Sequence, residues 1–371
     1  MMNCTTIKVK QIFYLSYVLM LFSWMFESVL YIKEILPFVR YLSYFLALIV
    51  TFYNYKNFSI NKFIINLVIT ILVIISTIIS KSNIILSLWL FVLACEKVDF
   101  DELVKIDFKT KSIFVIIIII LYLLGMTQQA QFVSYTGEIR NALGFAKPNT
   151  FGYYVFSICA DYIYIKTGKF SFLNIMFLFL ISLFVGNVSL SRTSSYLIIL
   201  LTIISSISIF FKKIVFNNFS KKIISLTFII FTILSIFIAI NYDSSDKLQN
   251  KLNSLMSGRV VISQKYLNNY DFKLFGQNAE VINYTGSKVL YLDNAYLKLL
   301  INNGIFVYLL ILYIYMKLIE KGYEKKNNLL IMIILVYLIY GITENAMFWL
   351  TGNVFLLYSF CENNLNRKEE L

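Results

Sequence analysis

The sequence has no histidine, two prolines and four cysteines, and charged residues fill only 14% of its 371 positions. Each scarcity excludes something. Without histidine, the commonest general base and metal ligand is missing. With no cluster of cysteines either, neither a transition-metal site nor any other cofactor is expected. Cys4, Cys95, Cys159 and Cys361 are scattered and imply no disulfide framework. Pro37 and Pro148 leave little scope for proline kinks.

Apolar residues are abundant, at 59%, against about 45–50% in soluble domains. The chain is therefore predicted to be an all-α polytopic membrane protein. A crossing helix needs about 20 apolar residues, so 1–371 is read as one integral membrane domain with no soluble domain of ordinary size. The first apolar run follows Lys8 and Lys10, is too long for the core of a signal peptide and has no small-residue cleavage site. It is expected to remain as a span. Twelve spans are predicted, over 12–30, 36–53, 63–79, 84–95, 112–126, 149–166, 171–188, 194–211, 223–241, 293–316, 328–341 and 346–361.

The net charge of +13 is distributed as a topology signal. Alternate connections hold most of the lysines: Lys8 and Lys10, Lys56 and Lys62, the run from Lys97 to Lys111, Lys166 and Lys169, Lys212 to Lys222, Lys317 to Lys326, and Lys368. The other short connections hold only Lys33, Arg40, Lys81, Arg140, Lys147 and Arg192. By the positive-inside rule both termini are cytoplasmic. The polar stretch 242–292 becomes a large extracytoplasmic loop between spans nine and ten. Membrane lipid is the expected surrounding, and no nucleic-acid partner is. No internal repeat is visible, which counts against a transporter built from repeated halves.

Within the long loop, Leu248, Leu252 and Leu255 recur at helical spacing, a second helix is predicted from Arg259 to Leu267, and a hairpin is predicted around Thr285-Gly286. Asp293 or Asn294 is placed to cap the following helix, whose Asn294, Lys298 and Asn302 share a face. One reading limits these residues to capping and snorkelling; the other makes them a wall of an anion site. Arg192 sits in so short a connection that it is expected at the rim of the bundle, and Arg259 opens a loop helix after Gly258. Guanidinium groups grip phosphate oxygens in pairs and stay charged, which suits a pyrophosphate. Asp99 and Asp101 sit in a short connector and are read as solvated. Asp161 and Glu27 fall within predicted spans and are expected to face the interior.

The segment Gly144 to Gly152, then Ser191-Arg192-Thr193, Ser257-Gly258-Arg259, Leu274-Phe275-Gly276, and Asp293-Asn294-Ala295-Tyr296-Leu297 with Leu300 and Gly304, occur in an order that resembles the O-antigen ligase/polymerase family. The likeness is to its Wzy-type polymerases of capsule and exopolysaccharide assembly and covers residues 140 to 305. It implies a glycosyltransferase of the bacterial cytoplasmic membrane that joins undecaprenyl-pyrophosphate-linked repeat units on the outer face, without metal or nucleotide sugar. A flippase and a chain-length regulator would be its partners. Carried over by position, Arg192 and Arg259 would bind the donor pyrophosphate, assisted by Arg140, with Lys147, Asn149, Asn294, Lys298 and Glu280 also lining the substrate. Many relatives have histidine where Lys147 stands, so a carboxylate is the expected base: Asp293 first, with Glu280 and Glu344 as alternatives. A ligase acting on another acceptor and a flippase of the same lipid-linked unit are the rival readings.

Overall fold

A computed structural model describes residues 4–55, 59–127, 132–133, 139–210, 218–282 and 289–362. In chain order the helices are α1 (Cys4–Met25), α2 (Leu36–Tyr55), α3 (Ile60–Ser80), α4 (Ile84–Ala94) and α5 (Phe100–Leu123). Next come α6 (Pro148–Ile165), α7 (Phe172–Val188), α8 (Arg192–Phe210) and α9 (Asn218–Ile240). The polar stretch contributes α10 (Lys247–Leu255) and α11 (Arg259–Asn269), and the chain ends with α12 (Ala295–Lys298), α13 (Ile305–Glu324) and α14 (Asn328–Thr343). Two small antiparallel ladders punctuate them. β1 (Phe132–Val133) pairs with β2 (Ile139–Arg140), and β3 (Val281–Ile282) with β4 (Val289–Leu290).

Among the described residues, three helices are long and apolar enough to cross a membrane: Leu36–Tyr55, Ile60–Ser80 and Ser220–Ile240. Phe172–Val188, Arg192–Ile207 and Asn328–Thr343 are apolar but shorter. On α7 the side chains of Leu173, Phe177, Leu180 and Phe184 form an exposed stripe, a surface that water disfavours and lipid accepts. The predicted fourth span is an 11-residue helix, about half the length a crossing needs. The predicted last span, 346–361, is not a regular helix. It contains two 3₁₀ turns, Asn345–Phe348 and Val354–Leu357, separated by Thr351-Gly352-Asn353. Met347, Phe348, Leu350 and the run Val354 to Tyr358 are buried, and irregular backbone is tolerated where protein rather than lipid surrounds it.

The chain forms two compact units. One comprises Met1–Phe63, Trp89–Ile214 and Leu350–Leu371, the other Ile64–Leu88 and Val215–Trp349.

In the first unit, α1 and α2 close on small polar residues. Ser16 Oγ donates to the Ser43 carbonyl at 2.7 Å, and Ser43 Oγ returns the bond to Ser16 at 2.9 Å. Helix α6 approaches the start of α8 at Gly152, where a Cβ would meet the hydroxyls of both Ser191 and Ser194. Gly144, at φ +87°, lies against the Ile118 carbonyl of α5. These motif residues thus have packing duties. Asp99 accepts a hydrogen bond from the Glu102 N–H and caps α5, in keeping with a connector role. Two expectations change here. Helix α1 ends at Met25, so Glu27 lies beyond it and is exposed. Lys111, assigned by charge to a solvated connection, is wholly buried inside α5.

In the second unit, Phe228 of α9 packs against Tyr296, Tyr308 and Tyr315, with ring centroids 5.1, 5.4 and 5.5 Å away. The polar stretch does not hang free of this bundle. Tyr266, Val281, Leu292, Leu297 and Ile301 share a buried cluster with Ala239 of α9. The loop helix expected from Arg259 is present, and so is the hairpin ladder, whose connecting residues 283–288 lie outside the described set. The leucine face of α10 covers nothing, with Leu248 79% and Leu255 74% exposed.

The predicted tenth span, 293–316, is broken. After one turn of α12 the chain passes through a π turn, Leu299–Asn303, before Gly304 opens α13. Gly304 has φ +92° and Gly276 φ +79°. Their backbones touch. A Cβ on Gly304 would lie 2.2 Å from Gly276 N, and one on Gly276 2.0 Å from the Asn302 carbonyl oxygen. The junction is stitched by Gln277 N–H to Asn302 O at 3.0 Å, Ile305 N–H to Lys273 O at 3.0 Å and Phe306 N–H to Leu274 O at 3.0 Å. Glycine serves here for both its left-handed backbone and its missing side chain.

Candidate functional site

The second unit brings one cation and two carboxylates together where three chain elements end. Gly258, at φ +82°, turns the chain into α11, so that Arg259 is the first helical residue. Asn294 caps α12, its Oδ1 accepting from Leu297 N–H at 3.0 Å and its Nδ2 donating to Ser235 Oγ at 2.9 Å and the Ile342 carbonyl at 3.0 Å. With the cap supplied by Asn294, worth about 1 kcal/mol, the neighbouring Asp293 is released for another partner. Glu344 follows the last residue of α14, and Asn345 Nδ2 ties this turn to the Leu292 carbonyl at 3.1 Å.

Arg259 Nε donates to Asp293 Oδ2 at 3.3 Å, and Arg259 Nη2 donates to Glu344 Oε1 in a short ion pair. The Arg259 side chain is 10% exposed, Glu344 11% and Asp293 27%. Asp293 is therefore the member open to an incoming molecule. Burial works against the guanidinium charge, but the carboxylates of Glu344 and Asp293 outweigh it and hold Arg259 protonated above the ordinary arginine range. One cation facing two carboxylates leaves the group with a net negative charge. Such a cluster favours keeping Asp293 oriented over attracting a pyrophosphate to Arg259. Removing one partner of a buried pair typically costs about 3–5 kcal/mol.

The remaining predicted site residues fall as follows. Lys298 is half-buried at the end of α12, and Asn302 Nδ2 donates to the Ala279 carbonyl at 3.2 Å, holding the loop. Because α12 has only four residues before the π turn, it offers little of the helix dipole invoked for an anion wall. Glu280 is exposed; its backbone carbonyl, not its carboxylate, accepts from Tyr270 Oη at 2.7 Å. In the first unit, Arg140 Nη2 donates to Asn149 Oδ1 at 2.5 Å near the start of α6, where Lys147 occupies the N-cap position. Arg192 is exposed as the first residue of α8.

A second polar group was foreseen only in Asp161, which faces the interior as expected; its partners were not. Lys111 Nζ lies 2.5 Å from Asp107 Oδ2, 2.7 Å from Ser157 Oγ and 3.8 Å from Asp161 Oδ2, and Tyr17 Oη donates to Asp107 Oδ1 at 3.0 Å. The signal available in sequence was Asp107 and Lys111 at four-residue spacing, next to an apolar run. Among the described residues, no three Cys, Asp or Glu side chains are grouped to hold a metal ion. Compared with known proteins, no family model, curated protein or solved structure matches this chain.

Proposed function

We propose that the protein is a polysaccharide polymerase that joins undecaprenyl-pyrophosphate-linked oligosaccharide units at the outer face of a bacterial cytoplasmic membrane, through a bundle of about twelve spans. The observation that carries this reading is the Arg259–Asp293–Glu344 group, in which Arg259 and Asp293 stand in motifs of the resembled family and Asp293 is open to the surface. In the proposed reaction the acceptor hydroxyl oxygen bonds to the anomeric carbon of the donor while the carbon–oxygen bond to the pyrophosphate breaks. The hydroxyl proton passes to Asp293, and the lipid pyrophosphate leaves with the electron pair. The donor already has a good leaving group, so orienting the acceptor and removing its proton are the main tasks. Arg259 keeps Asp293 aimed, with Glu344 bracing the guanidinium from the other side. Arg192, with Arg140 assisting, remains the cation that the resemblance assigns to the donor pyrophosphate.

The test uses purified protein in vesicles supplied with one lipid-pyrophosphate-linked repeat unit and reads a glycan ladder on a gel. Asp293→Asn keeps the size of the side chain and most of its hydrogen bonding, and is expected to lower polymer formation by orders of magnitude while the protein still inserts. Near-normal ladders from this variant would reject Asp293 as the base.

A second reading, a flippase of the same lipid-linked unit, is favoured by one observation. The buried Lys111, Asp107 and Asp161 group places charge deep within the first unit, as transporters often do. Transfer of labelled lipid between leaflets without a ladder would favour that reading.

A further inference from the structure

The Lys111 group is complete in geometry but not in charge. Tyr17 comes from α1, Asp107 and Lys111 from α5, and Ser157 and Asp161 from α6; all five side chains are 0% exposed. Helix α5 packs against both α1 and α6. Asp107 is served at both oxygens, by Lys111 and by Tyr17. Asp161 is not. Lys111 Nζ stands 2.5 Å from Asp107 Oδ2 and 3.8 Å from Asp161 Oδ2, which sets the two carboxyls beside one another, and among the described residues no hydrogen-bond partner reaches either Asp161 oxygen. Among the described residues its one ion-pair partner is Lys111, at 3.8 Å. Two facing carboxyls that are both ionised repel, and both would be acceptors with nothing between them to donate. The groups acting on the pair are Lys111, Tyr17, Ser157 and Cys159, with Tyr154 beside Asp107. Lys111 is the one cation among them.

We propose that Asp107 and Asp161 share a single proton, making this group a proton-binding site sealed within the first unit. With the proton bound, one carboxylate balances Lys111 and the other carboxyl donates across the pair. On release, the proton goes to water and the group carries one net negative charge in an apolar surrounding. That state is stable only if water or a rearranged helix reaches it. The site is therefore a proton-linked switch acting on α1, α5 and α6. This inference does not rest on the polymerase reading.

Infrared difference spectroscopy on the full chain in lipid nanodiscs tests it. A protonated-carboxyl band is expected at neutral pH, shifted both by ¹³C-labelling of the aspartate carboxyls and by exchange into deuterium oxide. Asp161→Asn and Asp107→Asn should each abolish it, because one carboxylate then balances Lys111. Lys111→Gln should roughly double it, because both carboxyls then hold protons. If the variants fail to fold, the labelled wild-type spectrum still decides, since the other aspartates of the described residues are exposed or half-buried. No labelled protonated band at neutral pH would overturn the proposal. So would a missing band accompanied by sodium-dependent melting, which would put a metal cation in place of the proton.

Discussion

Each unit contains one cation held by two carboxylates, and the two groups have opposite characters. Lys111, Asp107 and Asp161 are wholly buried on two regular helices. Arg259, Asp293 and Glu344 stand where a loop helix begins, where a capped turn begins and where α14 ends. The difference is one of backbone. Inside a helix, four-residue spacing fixes neighbours with no room for a guest. At chain ends, the side chains splay, and Asp293 keeps 27% of its surface open. Equal charge counts thus give a sealed group fit to hold a proton and an open one fit to meet a polyatomic substrate.

The sharpest way to break this comparison is Lys111→Met. It leaves two buried carboxyls with no cation, and a loss of about 3–5 kcal/mol is expected, read as a large fall in melting temperature or loss of monodisperse protein. Next comes Gly304→Ala. The new Cβ would collide with the Gly276 backbone at a positive φ, with an expected cost of about 2–4 kcal/mol. Faster proteolysis within 242–292 would report it, while the carboxyl band of the first unit stays unchanged.

Arg259→Lys is milder. A single ammonium cannot reproduce the two edges that meet Asp293 and Glu344, and about 1–2 kcal/mol should be lost, measured by thermal melting. The smallest effect expected is with pH. Arg259 is held charged above its unfolded value, so its contribution is fully present below the ordinary arginine range and is lost only as pH rises through the higher folded value. Melting of the Lys111→Met variant, which lacks the first group's cation but keeps Arg259, should show no arginine transition between about pH 6 and 10. A step in that window that Arg259→Lys removes would contradict the assignment.

Much of the second site could be read locally. The loop helix at Arg259, a cap at Asp293 or Asn294, and the turn at Gly276 each follow from neighbouring residues, and the structure contains them; the break at Gly304 fell inside a predicted continuous span. Their partners were less legible. Arg259 meets Asp293 34 residues away and Glu344 85 residues away, and no periodicity encodes a contact at such separations. Lys111 was misread for a related reason. A lysine at the end of an apolar run has the same local pattern whether it snorkels to the interface or turns inward to a carboxylate on another helix.

The amino-acid order by itself determined that the chain is mostly helical and too apolar for water, because backbone period and side-chain hydrophobicity act within a turn or two of each residue. It also determined where α11 and α12 start, through Gly258 and the Asp293-Asn294 pair. Tertiary structure decided which charges meet, which are sealed, and that the last apolar run bends into 3₁₀ turns instead of forming a helix. Those outcomes depend on burial against distant segments, and the cost of an unpaired buried charge is fixed only once those segments have closed around it.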